Sequence, residues 1–149
     1  AVMTVAESEL LAPQMPGAKT KNLFLRDKKG SKHFLVTIPA ALSVNLKQLG
    51  ALLGVAGLSF ASPERLLRYL GVLPGSVTLL GLMNDPEQQV QFVIDQALWD
   101  APAVQAHPLV NTATMVVPHE GLERFLAATG HVSQIISVPA DSVEDRVPS

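Results

Sequence analysis

The stretch of residues 21–38, KNLFLRDKKGSKHFLVTI, decides the fold that the sequence predicts. Its two mostly apolar runs, 22–26 and 33–38, have the length of short β-strands, and the polar segment 27–32 between them contains Gly30. Two strand-like runs joined by a short polar segment with a glycine are typical of a β-hairpin. The sequence therefore predicts an antiparallel pair of strands here.

Two helices are predicted after the hairpin from their capping residues. Asn45 can accept a hydrogen bond at the start of a leucine-rich helix that ends near Gly54. Ser62 and Pro63 begin the clearest helix, because serine caps free N–H groups and proline loses nothing at the first helical position. Gly71 can adopt the left-handed conformation that ends this helix.

The rest of the chain alternates between short apolar runs and turns. Strands are expected at 77–82 (as a strand or a strand plus a turn), 90–94, 112–117 and 132–138, and 97–99 is expected to begin the partner of 90–94. A third helix is expected at 120–128 and a frayed tail at 141–149. Strands grouped as hairpins, with single helices between them and no regular βαβ alternation, predict an α+β fold. Its sheet is expected to be mixed, mostly antiparallel and flanked by helices.

Length and composition restrict the class of protein. A chain of 149 residues with 48% hydrophobic and 16% charged residues is expected to fold as one domain and not to be disordered. The chain has no cysteine, which excludes a disulfide framework, a thiol nucleophile and a cysteine-ligated metal site. No apolar run reaches the roughly 20 residues of a membrane-spanning helix, and the first residues do not resemble a signal peptide. A cytoplasmic protein without membrane contact is therefore expected.

Basic residues are concentrated in and around the predicted hairpin. Residues 19–32 carry six basic side chains and one acidic side chain, a net charge of +5, whereas the other 135 residues sum to −7. The six are Lys19, Lys21, Arg26, Lys28, Lys29 and Lys32. A local positive field attracts a polyanion such as a phosphate backbone, but a solvated, lysine-rich turn has the same composition.

Common catalytic motifs are missing from the sequence. It contains no Gly-x-Ser-x-Gly elbow, no phosphate-binding Gly-x-x-x-x-Gly-Lys loop and no Gly-x-Gly-x-x-Gly turn. The four histidines do not have metal-ligand spacing. His119-Glu120 begins like a zincin motif, but Glu123 stands where its second histidine belongs. No metal site is therefore expected, and Glu120 and Glu123 are expected on a solvated helix face.

Three segments of the sequence together resemble the YbaK/prolyl-tRNA-editing family. They are KNLFLRDKKG at 21–30, LPGSVTLLGLMND at 73–85 and HPLVNTAT at 107–114, and their order and spacing match the family too. The segment that begins at Lys21 is the most specific of the three, and it is similar to the free-standing branch, which hydrolyses alanine from mischarged proline tRNA. The resemblance implies a single editing domain over residues 1–149 with a YbaK-like, partly barrel-like fold. Family members usually carry a further N-terminal helical segment, and this chain is expected to begin, truncated, where that segment ends.

The resemblance also implies the catalytic residues. Lys21 and Asn22 match the lysine and asparagine that line the family's pocket; Lys21 would hold the terminal phosphate or the acyl carbonyl, and Asn22 would orient water or a ribose hydroxyl. The loop at 71–74 is followed by Gly75 and Ser76, whose N–H groups would face the developing oxyanion. The pocket histidine falls at His107, which would assist binding or proton transfer. In the family the tRNA's own hydroxyl is thought to help activate water, so no protein general base is assigned. The resemblance implies no cofactor and no metal.

The implied function is that of a metal-independent trans-editing deacylase for mischarged tRNA, with alanine on proline tRNA as its substrate. A tight pocket that rejects proline is expected, because one methylene in an apolar pocket is worth only about 1–3 kcal/mol. The partners would be the acceptor end of the tRNA and prolyl-tRNA synthetase. The acceptor stem would contact the basic side chains of Lys19, Arg26, Lys28, Lys29 and Lys32.

Two other functions stay open on the sequence. The chain can be a non-catalytic nucleic-acid-binding module that uses the basic segment 19–32, or a regulatory domain that binds a small amino acid or a synthetase. The amino acid removed by an editing enzyme (alanine, cysteine, serine or threonine) depends on pocket volume, which the sequence does not determine.

Overall fold

A mixed β-sheet with helices on both faces forms the centre of the structure, a computed structural model that describes residues 18–73, 77–106 and 115–140. The helices are α1 (Leu46–Leu53), α2 (Pro63–Leu70), a 3₁₀ helix (Leu79–Asn84), α3 (Gln96–Trp99) and α4 (His119–Thr129). The strands are β1 (Thr20–Arg26), β2 (His33–Pro39), β3 (Ser59–Phe60), β4 (Val90–Asp95), β5 (Ala103–Ala106), β6 (Met115–Pro118) and β7 (Ser133–Ile136). The expected tail at 141–149 lies outside the described residues.

Five strands form the main sheet in the order β3-β1-β2-β4-β7. Strand β1 is antiparallel to β2 and β3, whereas β4 is parallel to β2 and β7. Strands β5 and β6 form a separate antiparallel pair. A parallel bridge between Ala18 and Val104 joins this pair to the beginning of β1, so the main sheet continues into the small one without closing. The predicted α+β fold with a mixed, mostly antiparallel and partly barrel-like sheet is confirmed.

The predicted hairpin is confirmed, and its register runs from Thr20 opposite Pro39 to Arg26 opposite His33. Its turn is held by the buried carboxylate of Asp27, which accepts hydrogen bonds from the N–H groups of Ser31 at 2.9 Å and Lys32 at 3.1 Å. Gly30 has a φ of 72°, a left-handed conformation that costs glycine little. The turn is therefore a defined structure and not a loose lysine-rich loop.

The capping residues predicted the first two helices correctly. Asn45 Oδ1 accepts a hydrogen bond from Gln48 N at 3.0 Å at the start of α1, and Ser62 Oγ accepts one from Arg65 N at 3.2 Å at the start of α2. Glycines in the left-handed conformation end both helices, at Gly54 and Gly71. The third predicted helix is α4, which begins one residue earlier and ends one residue later than expected.

Two expected strands were wrong, and polar side chains explain both errors. Residues 79–82 of the expected strand 77–82 belong to the 3₁₀ helix, because the hydroxyl of Thr78 accepts a hydrogen bond from Leu80 N and starts a turn. Residues 97–99 form α3, because the carboxylate of Asp95 caps Ala97 N at 3.1 Å. Strand β4 therefore pairs with β2 and β7 instead of a strand at 97–99.

The remaining strand predictions differ from the structure mainly at their ends. Strand β6 covers 115–118, so residues 112–114 of the expected strand 112–117 lie outside the described part of the chain. Strand β7 covers 133–136 within the expected 132–138, and β4 covers the expected 90–94 with one further residue.

Alternation along the strands divides the core between the two faces of the main sheet. Phe24, Leu35 and Phe92 belong to a first core, which also contains buried residues of α2, the 3₁₀ helix and α4. Leu25 and Phe34 belong to a second core, which contains the buried leucine of α1. Successive strand side chains point to opposite faces, so each strand residue can be assigned to one core by its position. No helix in the described residues is both long enough and apolar enough to span a membrane.

Candidate active site and basic surface

Asn22 lies on the first-core face of β1, opposite Thr37 of β2. The Thr37 hydroxyl donates a hydrogen bond of 2.6 Å to Asn22 Oδ1. Thr37 is fully buried, whereas Asn22 is half-buried. Because Oδ1 accepts from a buried donor, the NH2 group of the carboxamide is directed away from Thr37. That group makes no hydrogen bond to any residue in the described ranges, so it can donate to a bound molecule.

Lys21 lies on the opposite face of β1 from Asn22. It pairs with Ile38 of the second core. It shares its face of β1 with Leu23, which packs against the same core. Side chains that are paired across an antiparallel ladder share a face. The structure therefore does not place the two adjacent predicted site residues side by side, and only the long, half-buried side chain of Lys21 can bring its ammonium group around the strand.

Strand β5 runs beside the beginning of β1, where its contacts are with Ala18 and Thr20, the second of which lies two residues before Asn22. The hydroxyl of Thr20 donates a hydrogen bond of 2.6 Å to Gln105 O, and Ala18 N donates one of 3.0 Å to Ala103 O. The last described residue of this strand is Ala106, which is buried. The other predicted catalytic residues, Gly75, Ser76 and His107, lie outside the described residues.

The predicted tRNA-binding side chains separate into two groups. Lys28, Lys29 and Lys32 are exposed on the turn of the hairpin, and Arg26 donates from Nη1 to the Asp27 and Lys28 carbonyls at 3.4 and 3.5 Å. Lys19 is exposed at the other end of β1, about 23 Å away from Arg26 at the usual rise of a strand. The hairpin turn thus gathers four of the five predicted cations, and Lys19 is not one of them.

Sequence reasoning missed two further cations on α2, one of which contacts the same turn. Arg65 Nη1 lies 3.1 Å from Gly30 O and 3.0 Å from His33 Nε2, although it is more than 30 residues away along the chain. Arg68, one turn further along α2, is exposed. The spacing of these two arginines on the best-predicted helix was the available signal. We call Arg26, Lys28, Lys29, Lys32, Arg65 and Arg68 the basic surface.

His33 connects the basic surface to the core. Its ring is buried, lies 4.2 Å from the ring of Tyr69 and stacks at 5.6 Å on Phe24. Burial lowers the pKa of His33 below its ordinary value, and the Arg65 guanidinium lowers this pKa further. A neutral His33 can accept the Arg65 hydrogen bond at Nε2, so the arginine is held at a defined position above the turn.

The other described histidines have structural partners. His119 lies 2.5 Å from Glu123 of its own helix and contacts the Trp99 ring edge-on at 4.4 Å. His131 is buried and hydrogen-bonds at 2.9 Å to Asp85, whose carboxylate also accepts from two backbone N–H groups. No three His, Asp or Glu side chains within 18–73, 77–106 and 115–140 lie close enough together to hold a metal ion.

A groove of about 500 Å³ lies away from Asn22, between the 3₁₀ helix and the end of α4. Met83, Phe125 and Thr129 are among the residues that line it, and none of its lining residues is titratable. It therefore offers no acid, base or cation for hydrolysis.

Comparisons with known proteins agree with the sequence resemblance. The model of the aminoacyl-tRNA editing domain matches residues 1–125. The chain is 37% identical over 137 residues to the prolyl-tRNA editing protein ProX of Acetoanaerobium sticklandii, covering 92% of this chain and 84% of that protein. It is 39% identical over 134 residues to a prolyl-tRNA synthetase associated domain-containing protein of Mus musculus, covering 87% and 79%.

Solved structures show the same fold at lower sequence identity. A crystal structure described as a candidate trans-editing enzyme for prolyl tRNA synthetase superposes with a TM-score of 0.65 at 19% identity. The superposition covers 95% of this chain and 85% of that one.

Proposed function

Because this chain belongs to the aminoacyl-tRNA editing domain family, we propose that it hydrolyses the ester bond that joins a wrongly attached amino acid to tRNA. The observation that carries the proposal is the 37% identity to a prolyl-tRNA editing protein over 92% of this chain. The orientation of Asn22 by a buried hydroxyl supports it, since an editing site needs a fixed polar group beside the ester.

The reaction needs positioning more than a strong nucleophile, because an aminoacyl ester is already activated. A water oxygen attacks the carbonyl carbon, the bond from that carbon to the ribose oxygen breaks, and this oxygen leaves with a proton. Asn22 would donate from its NH2 group to the water or the ester, while the ammonium group of Lys21, brought around the edge of the strand, would stabilise negative charge there. Gly75, Ser76 and His107 keep the roles that the family resemblance implies for them, and the tRNA hydroxyl would help to activate the water.

We propose proline tRNA charged with alanine as the substrate. Both relatives described above carry prolyl-tRNA in their names, and one is named as an editing protein. A pocket that accepts alanine and excludes the proline ring by size gives more discrimination than attraction can. Proline tRNA and prolyl-tRNA synthetase would then be the partners, and the reaction would take place in the cytoplasm, where charged tRNA is used.

A deacylation assay tests the proposal. We expect the unaltered protein to release alanine from alanyl-tRNA of the proline type, and both Lys21→Ala and Asn22→Ala to lower kcat. Loss of one donor to a developing oxyanion typically costs roughly 10²–10³ in kcat. Lys47→Ala, which removes an exposed lysine from α1, is the matched control and should keep the activity.

The second candidate function, a nucleic-acid-binding module without catalysis, is favoured only by the basic surface. A protein that binds the charged tRNA but leaves its ester intact at high concentration would establish this second candidate instead. Comparing esters of alanine, serine, cysteine and threonine on the same tRNA would identify the amino acid that is removed.

A further inference from the structure

The turn of the hairpin is held rigidly from two sides. On one side Lys28 N donates a hydrogen bond of 2.9 Å to Ala56 O, and a Cβ at Gly57 would meet the Lys28 side chain at 2.6 Å. On the other side Arg65 donates to Gly30 O. Asp27 fastens the inside of the turn through Ser31 and Lys32. The lysines of this turn therefore project from a fixed backbone, so less conformational entropy is lost when they bind a ligand.

The charges of this region are predominantly positive and accessible. Lys28, Lys29, Lys32 and Arg68 are exposed, whereas the Asp27 carboxylate is buried and hydrogen-bonded within the turn. The acidic residue of α2, Glu64, is exposed, so one negative charge accompanies these four positive charges. An array of this kind suits a row of phosphates, because each phosphate carries a charge and several acceptor oxygens.

We propose that α2 and the hairpin turn together form one binding surface for the phosphate backbone of the tRNA acceptor stem, with Arg68 as a phosphate contact. Arg65 positions the turn relative to α2. This proposal rests on the proposed function, since it assigns a place to the substrate of that reaction.

The position of the surface fits a tRNA whose ester lies at Asn22. Arg26 is four residues further along the same strand, about 13 Å from Asn22. A few nucleotides span this distance, so the backbone where the unpaired 3′ end joins the acceptor stem can reach the basic surface. Backbone contacts of this kind fix the position of the RNA without reading its sequence.

The test measures how the full chain cleaves two different alanine esters. One is alanyl-tRNA of the proline type, and the other is alanine esterified to adenosine alone, which lacks all phosphates. We expect Arg68→Glu to raise the KM for charged tRNA several-fold relative to the KM for the adenosine ester. The slope of log affinity for tRNA against log salt concentration should fall by about 1 for each phosphate contact that is lost.

Matched variants separate a local effect from a general change in charge. Lys47→Glu makes the same change of charge on α1, at the second-core face, and should leave both KM values and the salt slope unchanged. The double variant with Lys28→Glu and Lys29→Glu should, like Arg68→Glu, raise the KM for charged tRNA and reduce the salt slope. Arg65→Gln should also raise the KM for charged tRNA. Arg65→Lys should raise this KM less, because lysine keeps the positive charge but not the hydrogen bonds to Gly30 O and His33 Nε2.

The outcomes distinguish this proposal from the proposed function. A protein that cleaves neither ester contradicts the proposed function itself. If the unaltered chain, Arg68→Glu and the double lysine variant all cleave charged tRNA with the same KM and bind it with the same salt slope, the basic surface is not the acceptor-stem contact.

Discussion

Asn22 and Thr37 illustrate how one buried hydroxyl orients the side chain opposite it. An asparagine side chain can rotate by half a turn and exchange its donor for its acceptor. The 2.6 Å hydrogen bond from fully buried Thr37 favours one of these orientations. The NH2 group then points away from Thr37, which is the orientation that the hydrolysis proposed above requires.

We therefore expect Thr37→Val, which keeps the shape but removes the hydroxyl, to lower kcat for deacylation. The lost hydrogen bond should also reduce the free energy of unfolding by about 1 kcal/mol. The measurement is single-turnover deacylation together with urea denaturation. Thr37→Ser keeps a hydroxyl and should retain most of the rate, and equal rates for the serine and valine variants would contradict the positioning role.

At the scale of the elements, the hairpin turn depends on a glycine that tertiary contacts also constrain. Gly30 has a φ of 72°, and a Cβ there would lie 2.8 Å from Arg65 Nη2. Gly54 has nearly the same φ, 73°, but a Cβ there would meet nothing within 4 Å. The two glycines share their backbone conformation and differ only in their neighbours.

We expect Gly30→Ala to be more destabilising than Gly54→Ala. Each substitution places a Cβ in the left-handed region, at a cost of roughly 1–2 kcal/mol. At Gly30 the guanidinium of Arg65 must also move, which adds about 1 kcal/mol for a lost hydrogen bond. Chemical denaturation of both variants measures the difference, and equal losses would mean that Arg65 does not hold the turn.

At the scale of the whole molecule, the stability should depend on pH through Asp27 and His33. Hydrogen bonds from Lys32 N and the neighbouring groups of the turn lower the pKa of Asp27, and burial lowers the pKa of His33. Both groups bind a proton more tightly in the unfolded chain, so folding is favoured at higher pH. The contribution of His33 is complete above its ordinary pKa of 6.5, and that of Asp27 is complete above 3.8.

The free energy of unfolding should therefore fall as the pH is lowered from about 6.5 towards the folded-state pKa of His33, and again below about 4 as Asp27 is protonated. Urea denaturation between pH 3 and 8 measures both steps. His33→Gln keeps a possible acceptor for Arg65 but does not titrate, so its curve should lose the contribution of His33 near pH 6.5. An unchanged curve for this variant would show that His33 does not couple protonation to folding.

Local patterns predicted much of the fold because the interactions behind them are local. The hairpin and the ends of α1 and α2 follow from side chains and glycines within a few residues of the turns they form. The same local reasoning failed at 79–84 and 97–99, where Thr78 and Asp95 cap short helical turns inside apolar runs. Apolar runs of this length fit either a strand or a buried helix, so periodicity alone could not decide.

The sequence by itself determined the family, the basic character of the hairpin and the residue types available for ester hydrolysis, because these are written in contiguous motifs. Only the tertiary structure decided that Asn22 is oriented by Thr37, that Lys21 lies on the other face of the same strand, and that Arg65 of α2 contacts the hairpin turn. Those relations depend on strand register and on the packing of a helix from elsewhere in the chain. Residues far apart in sequence meet only when the whole core has formed.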